Sequence, residues 1–155
     1  MPEIIISDTS CLILLQKIGQ LQLLPKLYSQ VFVTSLIAKE FGSDLPDEIL
    51  IREAIDVNLI RTLSQIVDEG EASAIALAFE IEKSILVLDD RKARKLASSL
   101  GLKLTGMLGI LIKGKKSGIL PSVTQILEEL KKTDFRISQK IIDRILKEAG
   151  ENQDS

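Results

Sequence analysis

Asp8 directly follows the apolar run Ile4-Ile5-Ile6-Ser7 and precedes Thr9-Ser10. Asp89 and Asp90 follow Ile85-Leu86-Val87-Leu88 in the same way. A short β-branched run ending in a carboxylate reads as a buried strand that carries an acid to its C-terminal end, where ligands bind in open α/β sheets. Two more acids stand out by context. Glu40 follows Ile37 on a predicted helix, and Glu71 opens an Ala-rich one. Asp68 and Glu69 would serve equally well at that helix start. Converging carboxylates suit a hard divalent cation such as Mg²⁺ or Mn²⁺. Such an ion polarises a phosphate, acidifies a bound water and orients in-line attack. Each acid also has a plainer reading. Asp8, and one of Asp89 and Asp90, suit helix N-caps. Glu71 suits a helix dipole, and Glu40 a solvated face.

Composition narrows the chemistry further. The chain of 155 residues has no histidine and one cysteine. That excludes a Ser-His or Cys-His pair, a histidine base and the usual zinc ligands. Cys11, beside Leu12, Ile13, Leu14 and Leu15, reads as a buried, inert thiol. The formal net charge of −2 implies no globally basic surface, so a nucleic-acid contact would have to be local. Arg91, Arg94 and Lys95 supply one such patch at i, i+3 and i+4, with a solvated face as the alternative. Lys113, Lys115 and Lys116 form a second basic cluster. No aromatic side chain is interleaved with either, so base stacking gains no support. The start of the chain lacks the pattern of a secretory signal, and no apolar run approaches a membrane span. A cytoplasmic protein without membrane contact is expected.

The elements that must position these acids read as alternating short strands and helices. Strands are predicted over 3–7, 30–33, 84–88 and 102–104, with a further one over 59–63. Helices are predicted from Ser10 to Ile18, within 20–28, from Thr34 or Ser35 to Phe41, over 47–55 behind Pro46, and over 71–82. Others cover 91–100, 107–115, 122–132 and 139–148. This order implies one α/β domain, three layers deep, with a mainly parallel central sheet between helices. The domain is expected over 1–149 and a disordered tail over 150–155.

The order and spacing of four segments resemble the PIN domain family of metal-dependent ribonucleases, in a small prokaryotic branch. They are Ile5–Ser10, Val33–Phe41, Gly70–Ala78 and Ile85–Arg91, and Leu104–Leu111 carries the branch character. The resemblance covers roughly residues 3–148. It implies that Asp8, Glu40, Glu71 and Asp90 are catalytic acids. Asp8, Glu71 and Asp90 would ligate Mg²⁺ or Mn²⁺, with Asp89 as ligand or support. Thr9 and Ser10 would join Arg91, Arg94 and Lys95 in contacting RNA. Two positions depart from the family's pattern. Its third acid is commonly Asp, and its usual Thr-x-Asp turn has Leu88 in place of threonine. The resemblance further implies a homodimer, and for some members a toxin held by a small antitoxin protein. An alternative reading is a catalytically weak module that binds nucleic acid or protein. A phosphoryl-transfer protein is the third and least supported reading.

Overall fold

A computed structural model describes residues 3–151, which form five parallel strands and the helices that cover them. The strands are β1 (Ile4–Ile6), β2 (Gln30–Val33), β3 (Ile49–Ile51), β4 (Ser84–Val87) and β5 (Lys103–Thr105). Their spatial order is β3-β2-β1-β4-β5. Every pairing is parallel, with Ile5 opposite Val31 on one side and Ile85 on the other. Apart from Gln30 and Ser84, which open β2 and β4, the central strands are apolar because helices bury both faces of the sheet. All four residues of β4 are buried, as are Ile5 and Ile6 of β1. The helices are α1 (Thr9–Lys17), α2 (Leu23–Leu27), α3 (Ser35–Phe41), α4 (Val57–Leu63) and α5 (Glu69–Glu80). After β4 come α6 (Arg91–Ser99), α7 (Met107–Lys116), α8 (Val123–Lys131) and α9 (Gln139–Glu148). Among the described residues, no helix is long and apolar enough to cross a membrane.

The chain steps outward from β1 to β2 and β3, then returns to the other side of β1 for β4 and β5. The reversal opens a crevice at the C-terminal ends of β1 and β4. Asp8 lies just beyond β1, and Asp89 and Asp90 just beyond β4.

Two expected elements exchange character. The helix expected over 47–55 is replaced by β3, because the apolar run Ile49-Leu50-Ile51, with two β-branched isoleucines, completes the sheet beside β2. The strand expected over 59–63 is helix α4. Asp56 caps it by accepting from Leu59 N at 3.0 Å, and Leu59, Ile60 and Leu63 follow the i, i+1, i+4 stripe of a helix packed on α5. Cys11 is fully buried, as expected, and burial pushes its thiol well above the usual range. Of the expected tail, residues 152–155 lie outside the described residues. Glu151 accepts from the backbone N–H groups of Val123 and Thr124 at 2.6 and 3.0 Å, closing the start of α8.

Candidate active site

Each acid is placed by the way its strand passes into the next helix. Asp8 is the N-cap of α1, and its Oδ1 accepts from Cys11 N at 2.9 Å. That bond fixes the side chain at the mouth of the crevice, where Asp8 is 5 % exposed. Thr34 caps α3, and its hydroxyl lies 2.7 Å from that of Ser73 on α5. Both hydroxyls are buried, so the starts of α3 and α5 are locked together. Asp68 caps α5 through a 2.8 Å bond from Glu71 N. Asp90 caps α6 through a 2.9 Å bond from Ala93 N. The capping readings and the clustering of acids are therefore compatible: one oxygen of a carboxylate can cap while the group still borders the crevice.

A cleft of about 180 Å³ is lined by Asp8, Thr9, Ser10, Glu40, Asp68 and Glu71. It joins five of the residues singled out from sequence. Thr9 Oγ1 donates to Glu40 Oε1 at 2.9 Å, which ties α1 to α3 across the cleft. Gly70 lets Glu40 approach α5, since a Cβ there would stand 2.1 Å from Glu40 Oε1. Asp68 is the cleft residue that the expected set left out. Its signal in the sequence was a cap spacing, three residues before Glu71, and that spacing alone does not separate it from Glu69. Asp89 and Asp90 are not among the cleft's lining residues, but both act on it electrostatically.

Burial pushes Asp8 up to about 7 against its Cys11 hydrogen bond, and the charge of Asp89 adds to the rise. Glu71 also rises to about 7, through burial and then the charges of Asp68 and Asp90. Asp89 is raised by burial, while the Met107 N–H and the Arg94 charge work the other way. Its Oδ1 accepts from Met107 N at 3.3 Å at the start of α7. Gly106 makes room for it, since a Cβ there would lie 2.7 Å from that oxygen. Among the described residues, no basic side chain forms an ion pair with Asp8, Glu40, Glu71, Asp89 or Asp90.

The donor chemistry fits a hard divalent cation: the cleft offers oxygens only, and two of its carboxyls are held near 7 by burial and by other acids. Among the described residues, however, no three acids stand close enough as placed to enclose an ion. Loading would therefore draw side chains inward, and Glu40 and Glu71 have the length for that.

The basic residues divide. Arg91 and Lys95 are exposed. Arg94 turns inward, and its Nη1 donates to the carbonyls of Leu88 and of Thr105, the latter at 3.2 Å. In the second cluster, Lys113 pairs with Glu3 and lies 4.1 Å from the centre of the Tyr28 ring, and Lys115 pairs with Glu151 at 3.3 Å.

A family model described as DUF3368: PIN domain matches residues 4–151. No curated protein gives a match.

Proposed function

Since the chain belongs to the PIN domain family, whose fold is of nuclease type, we propose that it is a metal-dependent ribonuclease hydrolysing RNA phosphodiesters. The observation that carries this reading is the cleft of oxygen donors at the strand-end crevice, with Asp8 and Glu71 both near 7 and no basic partner among the described residues. Asp8, Glu71 and Asp90 would hold Mg²⁺ or Mn²⁺, with Glu40 completing the acidic set and Asp89 supporting it. A bound ion supplies Lewis acidity toward the scissile phosphate and the attacking water.

The chain's own residues bind and orient the substrate. Asp8 is fixed by its cap bond and needs little rearrangement. Thr9 holds Glu40 in place. Ser10, exposed on the cleft wall, can donate to a phosphate oxygen. Arg91 and Lys95, exposed on α6 beyond Asp90, extend a positive face along which a phosphate backbone would run.

The test uses purified protein, labelled single-stranded RNA, and Mn²⁺ or Mg²⁺ with an EDTA control. Cleavage should require the ion and fall roughly 100-fold or more in Asp8→Asn. Ion-dependent cleavage that survives intact in Asp8→Asn would reject this site. Binding without cutting, across several RNAs, would favour the catalytically weak binding module.

A further inference from the structure

The acid cleft has an apolar neighbour. A pocket of about 320 Å³ is lined by Ser10, Ile13, Leu14, Asp89, Asp134 and Phe135. Ser10 lines both spaces, so they meet at the start of α1. Ile13 and Leu14, one turn further along α1 and half-buried, give the pocket an aliphatic wall. The loop between α8 and α9 brings the aromatic one. Thr133 Oγ1 donates to Leu130 O at 2.6 Å and accepts from Phe135 N at 3.1 Å, which pins that loop to the end of α8. Phe135 is half-buried against the core and lines the pocket with the rest of its ring. No aromatic accompanies the basic clusters in sequence, but the fold carries this one to the crevice from the other end of the chain. A ring held on a pinned loop loses little entropy when a ligand docks on it.

The size lies at the lower end of small-ligand sites, which run from roughly 300 to 1,000 Å³. Besides the Ser10 hydroxyl, the polar side chains at the pocket are two carboxylates, Asp89 and Asp134. Ionised, they accept hydrogen bonds and donate none. Asp134 is fully exposed, and its Oδ2 is only loosely paired with Lys17 Nζ at 4.0 Å, so it is free to take another donor. The occupant must therefore be flat and apolar on its faces, carry N–H groups on its edge, and be joined to whatever lies in the acid cleft. We propose, resting on the ribonuclease reading, that the pocket is a base subsite: it takes one unpaired base of the RNA strand whose phosphate lies in the acid cleft, stacked on Phe135 and preferentially guanine. Unpaired bases are commonly read in this way, by stacking on an aromatic and bonding at the Watson–Crick edge. Guanine presents N1–H and N2–H side by side, and a carboxylate accepts two parallel bonds from such a fork. Adenine and cytosine place an amino group beside a ring nitrogen that a carboxylate repels, and uracil has one N–H between two carbonyls. An aliphatic side chain of a partner protein fills the space but leaves the acid rim unanswered.

Fluorescence anisotropy on the full chain tests it, with short single-stranded RNAs that carry guanine, adenine, cytosine or uracil at the centre of a run of uracils. Phosphorothioate linkages slow cleavage, binding is read with EDTA and again with Mg²⁺, and circular dichroism verifies folding. The guanine RNA should bind several-fold tighter than the all-uracil one. Phe135→Ala should weaken its binding on the order of tenfold. Phe135→Leu, which keeps an apolar side chain against the core, should lose nearly as much, and Phe135→Tyr should lose little. Asp134→Asn removes an acidic charge, so it should tighten the all-uracil RNA slightly while shrinking the advantage of guanine. That change of ranking is one a merely structural residue would not produce. Wild-type protein that binds or cuts RNA with no base preference, or that is indifferent to Phe135→Leu, would overturn the subsite and leave the nuclease reading standing. A protein that neither binds nor cuts any of these RNAs would overturn both.

Discussion

Asp8 and Glu151 are both carboxylates that accept hydrogen bonds at a helix start, and the fold treats them in opposite ways. Asp8 sits in the strand-end crevice with Asp89 beside it, and burial holds it near 7. Glu151 sits beyond α9, and burial acts on it too. Its bonds from Val123 N, Thr124 N and the Thr124 hydroxyl, together with Lys115, outweigh that and pull it down to about 2. Capping alone therefore does not decide what a buried acid does to stability. The balance of burial against donors does: deep burial wins at Asp8, with the charge of Asp89 adding to it, while at the α8 cap several donors and a lysine outweigh burial. A fold that keeps an acid ionised at a cost places it where something other than stability needs it. A satisfied acid needs no such explanation.

The sharpest test of the difference is Asp8→Asn. Besides the loss of cleavage, it should stabilise the ion-free protein at pH 8. The sign follows from linkage. Asp8 binds its proton more tightly folded than unfolded, so its favourable contribution is full below about 4. That contribution is lost as pH rises from about 4 to about 7. The melting temperature of the ion-free wild type should fall across that window, and that of Asp8→Asn should fall less. Mn²⁺ should raise the wild-type melting temperature near neutral pH and leave Asp8→Asn nearly unchanged. An ion-free Asp8→Asn protein that melts lower than wild type at pH 8 would contradict the electrostatic account.

Glu151→Gln should show the reverse dependence. Glu151 binds its proton less tightly folded than unfolded, so it stabilises above about 4.5 and the contribution fades as pH falls toward 2. The substitution should cost about 1–2 kcal/mol at pH 7, by urea unfolding, and progressively less as pH falls toward 2. Cleavage per folded molecule should not change.

The crevice was legible in the sequence because its signals are local. Strand runs ending in acids mark Asp8 and the Asp89-Asp90 pair, and the Ala-rich helix marks Glu71. The strand-helix alternation that implies a parallel sheet survives errors in single elements. What failed was local as well, but ambiguous. Residues 47–55 and 57–63 each carry apolar residues at spacings that suit either period over so short a span. The edge position of β3 and the cap at Asp56 decided between them, and the first of these is a tertiary fact. The inward turn of Arg94 was not legible either. The i, i+3, i+4 spacing places Arg94 on the helical face it shares with Arg91 and Lys95, but the carbonyl ends of two strands set which way its guanidinium points. Asp68 entered only as an alternative to Glu71, since a cap and a cleft wall call for the same residue type.

Two glycines extend the comparison between crevice and scaffold at smaller scale. Gly70→Ala would drive a Cβ into the end of the Glu40 side chain, which can swing away, while removing a flexible residue from α5. Stability should change by less than about 1 kcal/mol, yet cleavage should drop on the order of tenfold as Glu40 leaves its place. Gly114→Ala would meet Leu120 Cδ1 at 2.9 Å and Leu23 Cδ1 at 3.2 Å within the core. It should cost about 1–3 kcal/mol and spare cleavage per folded molecule. Equal losses of activity and stability in both variants would erase the distinction.

The smallest expected effect separates Arg91 from Arg94, neighbours on one helix with different surroundings. Arg91 is exposed beside Asp90, so Arg91→Ala should weaken RNA binding modestly and lower the slope of log affinity against log salt by about 0.7. Arg94 already donates to Leu88 and Thr105, joining the ends of β4 and β5 beside Asp89. Arg94→Ala should leave the salt slope unchanged and lower the melting temperature, because two strand-end carbonyls lose their donor. Fluorescence anisotropy at several salt concentrations reads the first effect and thermal unfolding the second. A reduced slope in Arg94→Ala would mean that the guanidinium leaves the carbonyls when RNA binds, and that the strand-end contact is a resting position rather than its task.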